Sequence, residues 1–351
     1  MKELVDILRD EQHLESRNYK ALLECDDESV VTYLHEQAQN VAIEHFGHGI
    51  FVRGLVELTN VCRNDCYYCG IRKSNSNVER YVLTTEQVLQ SCKRGYELGF
   101  RTFVLQGGEL SREKAPWIID LIGEIRKRWS DCAITLSLGE WPRDVYKAMR
   151  KAGADRYLLR HETHNAEHYG KLHPTEMSLN NRIQCLSWLK ELGYQVGTGI
   201  MVGSPCQSLD NIVEDIEFIE HFKPEMIGLG PFIPQHDTPF ASHHVGSAEL
   251  TCRLYSIFRL MFPNALIPST TALNSITPKG RIMGIKAGSN VVMPNLSPTE
   301  YRDNYALYDG KSHINAEAAE GIAQLEAQLA SIGYHINWSR GDFKPTIKRK
   351  L

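Results

Sequence analysis

Three cysteines in one short stretch could do chemistry together. Asn60-Val-Cys-Arg-Asn-Asp-Cys-Tyr-Tyr-Cys-Gly70 carries Cys62, Cys66 and Cys69 in a Cys-x3-Cys-x2-Cys spacing, directly after an apolar run. Thiolates are soft donors that suit iron-sulfur clusters or zinc. Three of them leave one iron of a four-iron cubane without a protein ligand, open to a molecule from outside the chain. The same triplet suits a zinc ion completed by one further donor, although no second cysteine pair stands nearby to form a zinc ribbon. His161, His164, His168 and His173 also fall in a short run, but Asn165 follows His164 where a zincin helix has Glu. Cys25, Cys92, Cys185 and Cys252 lie in helical patterns and read as core, and Cys132 precedes a strand. Cys206, in a loop, is the free thiol to watch.

The rest of the chain must hold that loop in place. The chain has 351 residues and a net charge of −4, which gives no electrostatic case for a nucleic-acid partner. The basic run Lys344, Lys348, Arg349 and Lys350 reads as a solvated end. No apolar stretch approaches the ~20 residues of a membrane span, and residues 1–20 have no apolar core of a signal peptide. Nine cysteines, an odd number, point to a reducing compartment, and the cytoplasm is expected.

Residues 1–49 read as a helical extension in two segments, Leu4, Ile7 and Leu8 marking one and Val30 to Ala42 the other, with Asp27 or Ser29 as cap. This extension is expected to pack on the remainder of the chain as a lid or plug. From 50 to about 310 short apolar strands alternate with capped helices. Strands are expected at 51–58, 102–106, 133–138, 156–160, 195–202, 226–229, 266–271 and 290–293. Thr84 with Gln87 forms a capping box, Pro142, Ser178 and Ser208 open helices, and Gly99, Gly153 and Gly193 close them. Eight such units predict an α/β fold closed as a (βα)8 TIM-type barrel, with an open doubly wound sheet as rival. The segment 311–351 adds a helix at about 315–332.

Barrel enzymes work at the C-terminal ends of their strands. Those ends read Gln106-Gly-Gly-Glu109, Thr135-Leu-Ser137 running on to Glu140, Arg160-His-Glu-Thr163, Gly197-Thr-Gly-Ile-Met-Val-Gly203, Gly228 to Pro234, Ser269-Thr-Thr-Ala272 and Met293-Pro-Asn295. Small and polar residues gather where a cavity mouth belongs. Gly107 and Gly108 either expose backbone groups to a ligand or make a tight turn. The glycines at 197, 199 and 203 lack the spacing of a dinucleotide fingerprint; they suit a flat ring laid on the strand, or close helix packing. Ser269, Thr270 and Thr271 offer hydroxyls and N–H groups to an anion or small polar ligand, or a plain helix cap.

The cysteine loop with its aromatic Tyr68 resembles that of the radical S-adenosylmethionine (SAM) superfamily. Within it, Leu136-Ser-Leu-Gly-Glu-Trp-Pro142, Arg156-Tyr-Leu-Leu-Arg-His-Glu-Thr163, Gly230-Pro-Phe-Ile-Pro234 and Asp237-Thr-Pro239 resemble the FeFe-hydrogenase maturase HydE family. The resemblance spreads over about 50–310. It implies a 4Fe-4S cluster on Cys62, Cys66 and Cys69 whose open iron binds SAM, and reductive cleavage of SAM to methionine and a 5′-deoxyadenosyl radical. It implies that Tyr68, Gly107, Gly108, Glu109, Thr135, Ser137, Arg160, Glu162, Arg182, Met201, Met293 and Tyr305 line the cofactor and substrate cavity. There a guanidinium would take the SAM carboxylate and a carboxylate the ribose hydroxyls; a rim ion pair is the other use of Arg160, Glu162 and Arg182. Ser269, Thr270 and Thr271 resemble the family's anion-binding end, for substrate. The implied substrate is an iron complex of cysteinate, carbon monoxide and cyanide made by the maturase HydG, the product passing toward HydF, with ferredoxin or flavodoxin as electron donor.

The chain departs from the family in two places. No cysteine follows Cys252, so the second cluster of some members is not expected, and Cys206 stands where a Gly is expected. A methylornithine-synthase-like mutase shares loop, fold and SAM. A biotin-synthase-like enzyme needs further cysteines at inner strand ends, which are not found. A zinc or scaffold protein is the non-catalytic alternative.

Overall fold

The structure is a computed structural model that describes residues 1–311 and 319–345. Three helices come first, α1 (Lys2–Glu11), α2 (Ser16–Glu24) and α3 (Glu28–Phe46). The Asp27 carboxylate caps α3 by accepting the Ser29 N–H at 2.8 Å. The first barrel strand arrives in two halves, β1 (Gly49–Val52) and β2 (Gly54–Thr59). Next come α4 (Thr85–Glu97), β3 (Thr102–Gly107), α5 (Ala115–Arg128), β4 (Ala133–Ser137), α6 (Arg143–Ala152) and β5 (Arg156–Leu158). Two helices, α7 (Ala166–Leu172) and α8 (Leu179–Glu191), separate β5 from β6 (Gln195–Thr198) and β7 (Met201–Val202). The order continues α9 (Leu209–Phe222), β8 (Met226–Ile227), β9 (Gly230–Pro231), α10 (Ala248–Met261), α11 (Thr271–Ile276), α12 (Gly280–Lys286) and β10 (Val291–Val292). The chain ends α13 (Thr299–Arg302), α14 (Ile322–Ala330) and β11 (His335–Asn337).

Among the described residues every pairing between these strands is parallel; a single antiparallel bridge joins Thr59 to Val82. Six strands run β2-β3-β4-β5-β6-β8, and β10 pairs with β1. Single bridges, Met226–Leu266 and Pro268–Val291, carry the ring across strand seven. The pairings therefore pass once round a cylinder, which decides between the barrel and the open sheet. Strand seven falls short of its expected 266–271: Pro268 has no N–H to donate, and Thr271 already belongs to α11.

Period-two alternation sorts the side chains. Phe103, Leu105, Ile134, Leu136, Tyr157 and Val196 are buried in the main apolar core. Their neighbours Gln106, Thr135, Ser137, Arg156 and Arg160 take the other, inner face together with Val104 and Leu158, so polar groups line part of the interior. The expected caps form: Thr84 with Gln87 is a capping box, and Ser178 and Ser208 accept N–H bonds at the starts of α8 and α9.

The N-terminal helices do pack on the barrel, but not as a lid or plug. α3 lies against α10 and α12, and α2 against α9, so the extension coats the helical ring. The physical reason is its buried stripe of Val30, Leu34, Ala38 and Val41, which needs an apolar partner that a polar cavity cannot give. The floor is closed instead by the C-terminal tail. β11 pairs with β1, Gly49–His335 and Ile50–Ile336. Beyond it the Arg340 carbonyl accepts from Thr102 Oγ1 at 2.8 Å and from Arg156 Nη2 at 2.9 Å. Asp342 takes Arg156 at 2.6 Å. Of the expected helix at 315–332, residues 315–318 lie outside the described residues; α14 buries Leu325 and Leu329.

Candidate active site

β2 delivers the cysteine loop to the mouth of the barrel, where the loop is tied down on three sides. Arg63 N–H donates to the Glu109 carbonyl at 2.8 Å, and Glu109 N–H points at Cys62 Sγ at 3.4 Å. Tyr67 N–H donates to the Leu172 carbonyl at 3.0 Å, at the end of α7. Gly70 N–H donates to the Leu307 carbonyl at 2.9 Å. Within the loop, Arg72 holds Asp65 through two bonds at 2.6 and 2.9 Å. Gly108 must be glycine because the loop passes so close: a Cβ there would sit 2.3 Å from the Val61 carbonyl oxygen and 2.9 Å from Cys62 Cβ. Its N–H goes to the Thr59 carbonyl, so it works as a close turn and not as an exposed donor.

The three thiols sit close enough to oppose one another's ionisation. Burial, then Cys69 and Cys62, drive Cys66 well above the ordinary thiol range. Burial and Cys62 push Cys69 up to about 12, and burial raises Cys62. A cationic core among them would reverse that sign and hold all three as thiolates. Among the described residues no three His, Cys, Asp or Glu side chains converge on one metal-ion position.

Other expected residues converge on the loop. Arg182 acts on Cys66 and Tyr68, lowering both, while Glu162 acts on Cys69 and Tyr68, raising both. Arg182 is buried; its Nε binds Glu140 at 2.5 Å and its Nη1 the Arg160 carbonyl at 2.8 Å. Arg160 Nε pairs with Glu162 Oε1 at 3.1 Å, which leaves the other oxygen, Oε2, buried and without a hydrogen-bond partner among the described residues. Thr135 Oγ1 is in the same condition. Buried polar atoms are normally satisfied, so these two oxygens are free to accept from a ligand. Ser137, opposite Gln106 in the sheet register, lies next along the inner face. Tyr305 is buried, its hydroxyl taking Gln106 Nε2 at 3.3 Å. Met201 packs with Leu172, Phe232 and Tyr68.

The remaining expected residues have protein partners of their own. Glu109 is engaged by protein, Oε1 taking Arg63 and Oε2 the Glu140 N–H at 2.8 Å, so it braces loops while each oxygen keeps a further lone pair. Met293, partly buried, packs against the cluster of Met226, Leu266 and Val291, which Phe51 and Phe343 also join. A Cβ on Gly199 would meet the Gly228 carbonyl at 1.8 Å, so that glycine answers to the neighbouring strand and not to a helix. Ser269 Oγ bonds the Arg281 carbonyl at 3.3 Å. Thr270 makes no side-chain cap; its hydroxyl lies 3.4 Å from Tyr255 Oη, and Arg160 acts on that same tyrosine. Thr271 is the first residue of α11. Cys206 is exposed at φ +64°, a left-handed position that favours glycine, which accounts for the residue expected there.

The sequence reading missed Glu140, Met177 and Asp215, and weighed His173 only as one of a run of histidines. Glu140 is the counter-ion of Arg182 and stood within Leu136 to Pro142 without a role. Met177 Sδ lies 3.6 Å from Cys66 Sγ, and His173 Nε2 lies 3.3 Å from Tyr68 Oη. No local signal marks Met177, which comes from the link between α7 and α8.

The Radical SAM superfamily model matches residues 56–219. The [FeFe] hydrogenase maturase subunit HydE of Thermotoga maritima is 42% identical over 292 residues, 83% of each chain. The chain belongs to the HydE family of radical SAM enzymes. That family is enzymatic and uses a 4Fe-4S cluster on three cysteines together with SAM. The 3-methylornithine synthase of Methanosarcina barkeri is 27% identical over 84% of this chain and 83% of its own. A crystal structure of methylornithine synthase (PylB) superposes with a TM-score of 0.84 at 25% identity, covering 95% of this chain and 97% of that one. The HydE-family barrel of this chain is thus shared with an amino-acid enzyme. No helix among the described residues is long and apolar enough to cross a membrane.

Proposed function

We propose that this protein is a hydrogenase maturase that holds its 4Fe-4S cluster on Cys62, Cys66 and Cys69 and binds SAM against the ends of strands three to five. The observation that carries the assignment is the pair of buried oxygens, Glu162 Oε2 and Thr135 Oγ1, that have no hydrogen-bond partner among the described residues, with Arg182 near enough to act on Cys66 and Glu162 on Cys69. When bound, the pair supplies reductive cleavage of SAM to methionine and a 5′-deoxyadenosyl radical. The protein's part is to bind, orient and exclude water. Arg160 offers a guanidinium to the methionine carboxylate, and the free oxygens of Glu162 and Thr135 accept ribose hydroxyls. Ser137 and Tyr305 continue the wall, Tyr68 and Met201 give it an apolar side, and Gly107 and Gly108 keep the strand-two turn low. Glu109 and Arg182 brace that arrangement from behind.

The substrate, an iron complex carrying cysteinate, carbon monoxide and cyanide, sits further in toward Ser269, Thr270 and Thr271. HydG is its source, HydF receives the product, ferredoxin or flavodoxin delivers the electron, and the reaction runs in the cytoplasm. Residues 50–310 form the catalytic barrel, with 1–49 and 311–351 as extensions. The test is SAM cleavage with the iron-cysteinate complex against SAM cleavage with lysine. Turnover of the iron complex supports the maturase; turnover of lysine alone replaces it with an amino-acid mutase.

A further inference from the structure

Behind the end of strand four lies a buried polar cluster that the proposed cofactor contacts do not use. Asp215, on α9, has 0% exposure. Its Oδ1 accepts the His164 N–H at 2.5 Å and lies 3.4 Å from His161 Nε2. Oδ2 has no hydrogen-bond partner among the described residues. His161 is equally buried, with Nδ1 2.8 Å from Thr198 Oγ1 on the next strand. The rings of His161 and His164 both rest on Phe218, at 4.7 and 4.3 Å between centroids.

Between the two anchored histidines stands Glu162, at φ +65°. A side-chain-bearing residue in the left-handed region is strained, and a carboxyl taken fully out of water is costly. Two unfavourable features placed back to back persist only where the surroundings hold them. Here they share one mechanical element: Asp215 takes the His164 backbone N–H, two residues after the strained one, and stands 3.4 Å from the His161 ring just before it. The grip works from the helix layer, while the Glu162 backbone is tied forward by N–H donation to the Gly199 carbonyl at 3.1 Å.

We propose that Asp215 is a positioning residue for SAM binding: by taking the His164 N–H and standing against His161, it fixes the turn that presents Glu162 Oε2 to the ribose. The inference rests on the proposed role of Glu162. Burial drives the Asp215 carboxyl well up and His161 down to about 3, so burial favours the uncharged form of each. An amide in place of the carboxyl keeps the acceptor for the His164 N–H.

The test uses reconstituted holoenzyme, with SAM affinity read from the change that added SAM makes in the reduced cluster's electron paramagnetic resonance signal. Asp215→Ala is expected to weaken SAM binding about tenfold, with iron content unchanged and kcat at saturating SAM within about threefold. Asp215→Asn is expected to bind SAM within about threefold of the unaltered protein. Should the alanine variant fail to fold, Asp215→Ser carries the same expectation as alanine. Wild-type affinity in Asp215→Ala, or a loss in Asp215→Asn as large as in alanine, overturns the proposal. Glu162→Gln separates the two layers. If it binds SAM normally, the role of Glu162 fails and this inference with it; if it weakens SAM while Asp215→Ala does not, this inference alone falls.

Discussion

At the floor of the barrel Arg156 commits its guanidinium to Gln195, Thr102, the Arg340 carbonyl and Asp342, while Glu162 at the mouth, and Thr135 on the wall between, keep oxygens without a hydrogen-bond partner among the described residues. Both ends bury charged and polar groups inside one ring of strands. Arg156 has its demand for hydrogen bonds answered and so reads as a stability element, although the neighbouring buried Arg53 keeps Nε and Nη2 without a partner among the described residues; the acceptors toward the mouth are left open and so read as a binding element. Thr135 and Arg156 are neighbours in the sheet register, so the change from one condition to the other takes place within a single row of the barrel wall.

Substitutions at the two ends should therefore fail differently. The largest effect is expected at the mouth: Cys66→Ala should abolish 5′-deoxyadenosine formation and lose cluster iron, with the far-ultraviolet circular dichroism of the barrel intact. A variant that still cleaves SAM breaks the cluster assignment. At the floor, Arg156→Met removes one partner of a buried pair and should cost about 3 kcal/mol in denaturant unfolding, while SAM affinity at permissive temperature holds. A loss of SAM affinity without a loss of stability would erase the distinction between the ends. Back at the mouth, Glu162→Gln should raise the KM for SAM about tenfold, which is about 1.4 kcal/mol, with a smaller change in kcat.

The smallest effect concerns pH. The folded apoprotein holds its three thiols above their unfolded value, which is about 8.5. The folded state therefore binds more protons there, and the contribution of the thiols is full below that value and fades as pH rises toward 12. The melting temperature of the apoprotein should fall more between pH 8 and pH 10 in the unaltered protein than in a triple Cys→Ala variant. Cluster loading runs the other way: thiolates are the ligands, so affinity should rise with pH.

Local signals carried most of the frame. Thr84 with Gln87, Ser178 and Ser208 each start the helix their spacing announces, and Gly153 and Gly193 end theirs. The loop cysteines and the Arg160–Glu162 pair were readable because the residue types themselves are unusual at strand ends. What the sequence withheld was set by distance or brevity. α7 and α11 have seven and six residues, too short to show a helical period. The bracing role of Glu109 depends on Arg63 and Glu140, neither visible as its partner in one dimension. Met177 reaches Cys66 across more than a hundred positions.

The tail under the barrel has a consequence for assembly. Ile50 finds one lateral neighbour only when Ile336 arrives. Local strand-helix units form early and such remote pairings late. The seam beside β1 is then among the last pieces to set, and until it does that strand keeps a raw edge toward solvent. A growing chain must hold that edge bare while nearly all of the remaining polypeptide emerges, which makes this seam the place where a chaperone would do most good and a protease most harm.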